Sequence, residues 1–226
     1  MRRIALDTET TGLNPLDGHR VVEIGCVELD NNIPTGKEWH TYLNPERSMP
    51  EAAFAVHGLG DKFLSSKPLF KDISLELLNF IDGAELVIHN ARFDIGFLNN
   101  ELKLVNLPII KIEEAIDTVQ LARQTIPGAA ASLDALCKRF NIDLSQRKKH
   151  GALLDAQLLA EVYLELTGGR QACLALNQPA KNLDFSNNNV KIEVFDFNYV
   201  VAAATKEEEE EHLRMLKKIK EPIWLK

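Results

Sequence analysis

Residues 4–12, Ile4-Ala5-Leu6-Asp7-Thr8-Glu9-Thr10-Thr11-Gly12, form a short apolar run that closes on a glycine turn. Its length and β-branched content suit a buried strand and not a helix. Side chains alternate along a strand, so Asp7 and Glu9 share a face, with roots roughly 6–7 Å apart at about 3.3 Å per residue. Two anions side by side at the end of a buried strand repel each other and lose hydration, which calls for a positive charge between them. Taken alone, Asp-x-Glu equally describes a solvated acidic turn. Ligands from elsewhere in the chain have to decide.

Asn14 to His19 is turn chemistry. Val21 to Leu29 and Trp39 to Leu43 read as strands joined by turns at Asn31-Asn32 and Pro34 to Gly36, an antiparallel meander with the first strand. Pro50 opens a short helix over Glu51 to Val56 that stops at His57-Gly58, and Leu69 to Ile81 is an amphipathic helix. Glu85 to Ile88 is a fourth strand, and His89-Asn90-Ala91-Arg92-Phe93-Asp94 leads into a helix through about Val105. Such a strand-to-helix switch is where α/β folds place ligands. Asp94 therefore has a functional address, although stabilising a helix dipole would by itself account for it, at about 0.3–1 kcal/mol.

Asp117 to Gln124 is expected to be a helix, Ser132 caps another through about Phe140, and Asn141 to Lys149 is a polar loop. From Asp155, the positions three, four, seven and eleven further on are Leu158, Leu159, Val162 and Leu166. The carboxylate thus shares the apolar stripe of its helix, and a lone buried carboxylate costs several kcal/mol unless a cation or a proton relieves it. His150 lies roughly 140° away on a helical wheel, which places it on the preceding loop.

Strands of mixed direction with helices between them give a three-layer α/β domain over residues 1–168. Residues 169–189, rich in asparagine, read as a flexible linker. In residues 190–226, a lone strand over Val190 to Val201 precedes a helix over Glu207 to Lys220 with Leu213, Leu216 and Ile219 in a narrow stripe; Pro222 and Trp224 follow. These pieces have no core of their own, so the tail is disordered or folds on a partner.

Composition sets the outer limits. Hydrophobic and charged contents of 45% and 26% are globular values. Cys26, Cys137 and Cys173 are scattered without a Cys-x-x-Cys pair, and neither a signal peptide nor an apolar span long enough for a membrane is evident, so a cytoplasmic protein is expected. The net charge of −7 argues against holding nucleic acid by bulk electrostatics. The acidity lies in the body: residues 1–170 carry 18 basic and 24 acidic side chains.

Asp7, Glu9, Asp94 and Asp155 can all meet at one sheet edge. Oxygen-only ligands select Mg²⁺ or Mn²⁺ over Zn²⁺, and two such ions can serve the attacking water and the leaving oxygen of a phosphodiester. His150, an imidazole on a loop, supplies the missing proton acceptor.

The segments Asp7-Thr8-Glu9-Thr10-Thr11-Gly12-Leu13, His89 to Leu98, and His150 with Asp155 resemble the three exonuclease motifs of the DEDD superfamily, histidine branch. The resemblance implies a ribonuclease H-like three-layer fold with a mixed sheet, and 3′→5′ hydrolysis of nucleic acid ends with two Mg²⁺ or Mn²⁺. It puts Thr10, Leu13, His57, Asn90 and Phe93, beside Asp7, Glu9 and Asp155, near the terminal nucleotide. Ala55 to Leu59 and Thr167-Gly168-Gly169 are similar, more narrowly, to the family of proofreading subunits of bacterial DNA polymerase III. That likeness implies DNA 3′ ends as substrate and docking of the tail, through Leu213, Leu216 and Trp224, on the polymerase III alpha subunit. Gln171-Ala172-Cys173-Leu174-Ala175-Leu176 resembles a sliding-clamp peptide, with Gln171, Leu174 and Leu176 as contacts. The competing readings are a stand-alone RNA-trimming relative, for which the tail has no use, and a non-catalytic subunit that stabilises the polymerase, which an intact set of five site residues disfavours.

Overall fold

The computed structural model describes residues 1–145, 147, 149–168 and 205–218. The chain divides into two units, Met1–Leu174 and Ala175–Lys226. In the first, β1 (Arg2–Thr10), β2 (Val21–Asp30), β3 (Ile33–Tyr42), β4 (Glu85–Ile88) and β5 (Ala115–Asp117) form one sheet in the order β3-β2-β1-β4-β5. The pairs β1–β2 and β2–β3 are antiparallel, and β1–β4 and β4–β5 are parallel. The meander and the mixed sheet are as expected.

Helices cover both faces. Ile4, Leu6, Ile24, Cys26 and Ile88 pack on α3 (Phe70–Ile81) and α4 (Ala91–Leu104), whereas Ala5, Val27, Leu29 and Val87 pack on α5 (Thr118–Thr125), α6 (Leu133–Arg139) and α7 (Ala152–Leu166). Two one-to-two-turn helices, α1 (Glu51–His57) and α2 (Asp61–Leu64), lie between β3 and α3. Alternation along β1 therefore puts Asp7 and Glu9 on the face of Ala5, toward α7, and Thr8 on the face of α4.

Three local differences from expectation have plain causes. The hairpin between β2 and β3 turns on Asn31 and Asn32 alone, both at positive φ, the tight two-residue form. Pro34 to Gly36 thus falls inside β3, where a proline is tolerated because β3 is an edge strand and its register is already shifted beside it. β5, three residues long, is too short to leave an alternation in the sequence.

In the second unit α8 (Lys206–Leu216) starts at a capping box between Thr205 and Glu208; it carries Leu213, half-exposed, and Leu216, buried. The expected linker 169–189, the strand over 190–201, the clamp-like peptide with Gln171, Leu174 and Leu176, and Ile219 and Trp224 lie outside the described residues. Among the described residues no helix is long and apolar enough to cross a membrane.

Candidate active site

The carboxyl end of β1 is the floor of the site, and the strand pairing explains what gathers there. Asp7 stands opposite Gly25 of β2. A Cβ on Gly25 would lie 2.3 Å from the Leu153 amide nitrogen and 2.4 Å from the carbonyl of Ala152, so only glycine lets the first turn of α7 descend onto the sheet. That approach carries Asp155, 3% exposed, over β1. From the opposite face Asp94, in the first turn of α4, accepts hydrogen bonds at Oδ1 from the Thr8 amide (3.0 Å) and the Thr8 hydroxyl (2.7 Å). Asn90 turns the chain into α4 at φ 68°, the left-handed conformation that asparagine tolerates.

Asp7, Glu9, Asp94, Asp155 and His150 consequently line one cleft of about 310 Å³, together with Thr8, His89, Asp134 and Arg147. Glu9, His150 and Asp155 each offer a ligand atom within 4.8 Å of the others. His150 lies ahead of α7, on the loop as expected, with its side chain 47% exposed and its Nδ1 3.3 Å from Asp155 Oδ2.

Crowding shows in the proton affinities. Burial, then repulsion from Asp94, Asp155 and Glu9, holds the Asp7 carboxyl well above its usual range. Burial pushes Glu9 up to about 8, helped by the charges of Asp155, Glu23 and Asp94. Burial raises Asp94 to about 7 against the opposing pull of the Thr8 hydrogen bonds. A set of buried oxygens that holds protons near neutrality is short of positive charge, and hard oxygen donors with one imidazole fit a divalent cation.

Beside the carboxylates opens a second cleft of about 610 Å³, lined by Glu9, Thr10, Leu13, His57 and Phe93 among others. Thr8, Glu9 and Phe93 belong to both. Leu13 stands 86% exposed at its rim. His57 is buried, its Nδ1 accepts from the Leu59 amide (3.0 Å), and its Nε2 has no partner among the described residues. By that assignment Nε2 carries the proton, buried and facing the Thr10 backbone outside good hydrogen-bond geometry. Burial lowers the ring's proton affinity and keeps it neutral. The Thr10 hydroxyl is spent on the Gly12 carbonyl (2.6 Å), and Asn90, exposed, lines neither cleft.

Two participants carry a weak signal or none in the sequence. Gly25 had a signal, a glycine inside an otherwise apolar strand, which indicates close backbone approach. Arg147 looked like one of several loop cations, yet its Nε and Nη2 donate to the two oxygens of Asp155 at 2.6 and 2.7 Å.

Residues 4–163 match the family described as Exonuclease. The DNA polymerase III subunit epsilon of Rickettsia prowazekii is 50% identical over 227 residues, 97% of each chain, and that of Escherichia coli K12 is 51% identical over 176 residues, 75% of this chain and 72% of the other. Among solved structures, Exonuclease X in complex with 5′ overhanging duplex DNA is 28% identical with a TM-score of 0.57, over 74% of this chain and 90% of that one. The nuclease domain of 3′hExo, a DEDDh family member bound to rAMP, shares the fold at 16% identity and a TM-score of 0.64, over 74% and 91%. Enzymes of this kind work with divalent metal ions. With this fold and half its residues in common with full-length relatives, the chain belongs to the exonuclease family and, within it, to the DNA polymerase III epsilon subunits, the proofreading 3′→5′ exonucleases.

Proposed function

We propose that the five residues gathered at the end of β1 hydrolyse the terminal phosphodiester of a single-stranded or frayed DNA 3′ end. The observation that carries this reading is the meeting of Asp7, Glu9, Asp94, Asp155 and His150 in one cleft that shares Thr8, Glu9 and Phe93 with a second, larger one. The four carboxylates would hold two divalent ions, Mg²⁺ or Mn²⁺, whose charge would offset that of the phosphate and ease both attack and departure at phosphorus. His150 accepts the proton of the attacking water. Its exposure on a loop lets it adjust to the bound strand, and an imidazole on that loop can take up a proton.

In the larger cleft the His57 Nε2–H donates to sugar or phosphate, and Leu13 and Phe93 press on the base. Thr10 shapes the wall through its own hydrogen bond, and Asn90 meets the strand at the outer edge of the site. Fraying costs less at a mismatch than at a pair, so a site for single strands edits selectively. Residues 1–168 form the exonuclease domain. Residues 190–226, with Leu213, Leu216 and Trp224, dock on the polymerase alpha subunit in the cytoplasm, and residues 169–189 form the linker, where Gln171, Leu174 and Leu176 touch the sliding clamp. Tethering raises the local concentration of the editor to roughly millimolar, which relieves an acidic body of gripping DNA by itself.

A 3′-labelled primer ending in a mismatch tests the site. With Mg²⁺ the label leaves as mononucleotide, faster than from a paired end, and a chelator stops it. A strong preference for RNA of matched sequence, or hydrolysis that survives the chelator, would overturn the proposal.

A further inference from the structure

Arg147 lies on the loop between α6 and α7, with its side chain nine-tenths buried. Nε donates to Asp155 Oδ1 at 2.6 Å and Nη2 to Asp155 Oδ2 at 2.7 Å; Nη2 also meets His150 Nδ1 at 2.9 Å, and Nη1 donates to Asp134. The planar fork therefore occupies both oxygens of one acidic residue and the imidazole nitrogen beside it. An ion held by the carboxylates would draw on Asp155, both of whose oxygens the fork occupies and whose ligand atom lies within 4.8 Å of that of Glu9. At a Mg²⁺–oxygen distance of about 2.0–2.1 Å such an ion would meet the guanidinium at contact range, cation against cation. An Arg–carboxylate fork is among the stronger charge-assisted contacts, so displacing it has a cost. The same hydrogen bond at Nδ1 ties up a nitrogen of the proposed base.

The geometry points to a role beyond the proposed chemistry, on whose site it rests: we propose that Arg147 is an internal competitor of the divalent ion. It holds Asp155 and His150 together until the ion takes Asp155, and its departure frees His150. Metal affinity is then set by the strength of the Arg147 fork as well as by the carboxylates. Loading of the site and departure of the Arg147 fork are one event.

The test uses the full chain, stripped by chelator and titrated with Mg²⁺. In the unsubstituted protein, the Arg147 Nε–H resonance, slow to exchange while forked, should lose its protection as Mg²⁺ saturates the site. Calorimetric titration should give an apparent Kd roughly 10- to 100-fold tighter in Arg147→Gln. The control is Lys149→Gln, which removes an equal charge two residues away, where the ammonium sits over the Phe54 ring at 5.3 Å; its Kd should move less than twofold. A Nε–H signal unchanged at saturating Mg²⁺, or weaker Mg²⁺ binding in Arg147→Gln, would make Arg147 a permanent support of Asp155 and overturn the competition. Equal tightening in both variants would reduce the effect to unspecific charge and overturn it as well. Absence of any Mg²⁺ binding in the unsubstituted protein would instead refute the proposed metal site itself.

Discussion

Replacing Gly25 by alanine should damage the site without touching a carboxylate. The added Cβ meets backbone atoms of α7 at 2.3–2.4 Å, and backbone cannot swing aside as a side chain can. Restoring ordinary contact at about 3.5 Å requires the first turn of α7 to retreat by roughly 1 Å. Asp155 and the adjoining His150 travel with it. A 1 Å misplacement of catalytic groups costs about 10²-fold in turnover, and overpacking of this kind about 1–3 kcal/mol in stability. For a domain of this size that is about 2–4 °C of Tm per kcal/mol. Release of a labelled 3′ nucleotide from single-stranded DNA, assayed well below the variant's Tm, reads the first effect, and thermal melting reads the second. Gly96→Ala is the matched control: nothing lies within 4 Å of its Cβ, it sits inside α4, and the change should leave turnover intact while adding up to about 1 kcal/mol. Unimpaired turnover in Gly25→Ala, or equal loss in Gly96→Ala, would refute the claim that this contact sets the site.

The other outcomes are more direct. His150→Ala should keep Mg²⁺ and DNA binding yet slow turnover by roughly 10²–10⁴-fold in single-turnover kinetics; an unchanged rate would remove its assignment as base. Glu9 and Asp94 have folded-state pKa values raised to about 8 and about 7, so the stability that their protonated forms contribute is full below the unfolded value near 4 and is lost as pH rises through 7–8. In chelator, Tm should therefore fall between pH 5 and 8.5, and saturating Mg²⁺ should flatten that fall. Deleting residues 177–226 should abolish copurification with the polymerase alpha subunit and leave trimming of single-stranded DNA unchanged; retained copurification would move the docking site elsewhere.

How much of this was legible in the sequence varies with the range of the interaction. Asp155 was legible because a carboxylate on an apolar helical stripe is a local contradiction, and its burial at 3% exposure bears out that reading. Asp7 and Glu9 were placed on one face by alternation alone. The strand at Glu85–Ile88 matched to the residue, since an apolar run bounded by Gly83 and His89 has little freedom of boundary. Pro34 misled because whether a proline breaks a strand depends on which edge of the sheet it occupies, and strand order is not local. β5 owes its existence to the neighbouring β4 and not to its own three residues. Arg147 was unreadable for a further reason: its neighbours in sequence include other cations, and only the fold decides which of them reaches Asp155.

Titration of Mn²⁺ into the metal-stripped protein at pH 7, in two buffers of different ionisation heat, addresses the cage of carboxylates most directly. Because Glu9 and Asp94 hold protons near neutrality, ion binding should expel them, and the apparent enthalpy should depend on the buffer. Binding should vanish in Asp7→Asn. A buffer-independent enthalpy, or undiminished binding in that variant, would contradict the account.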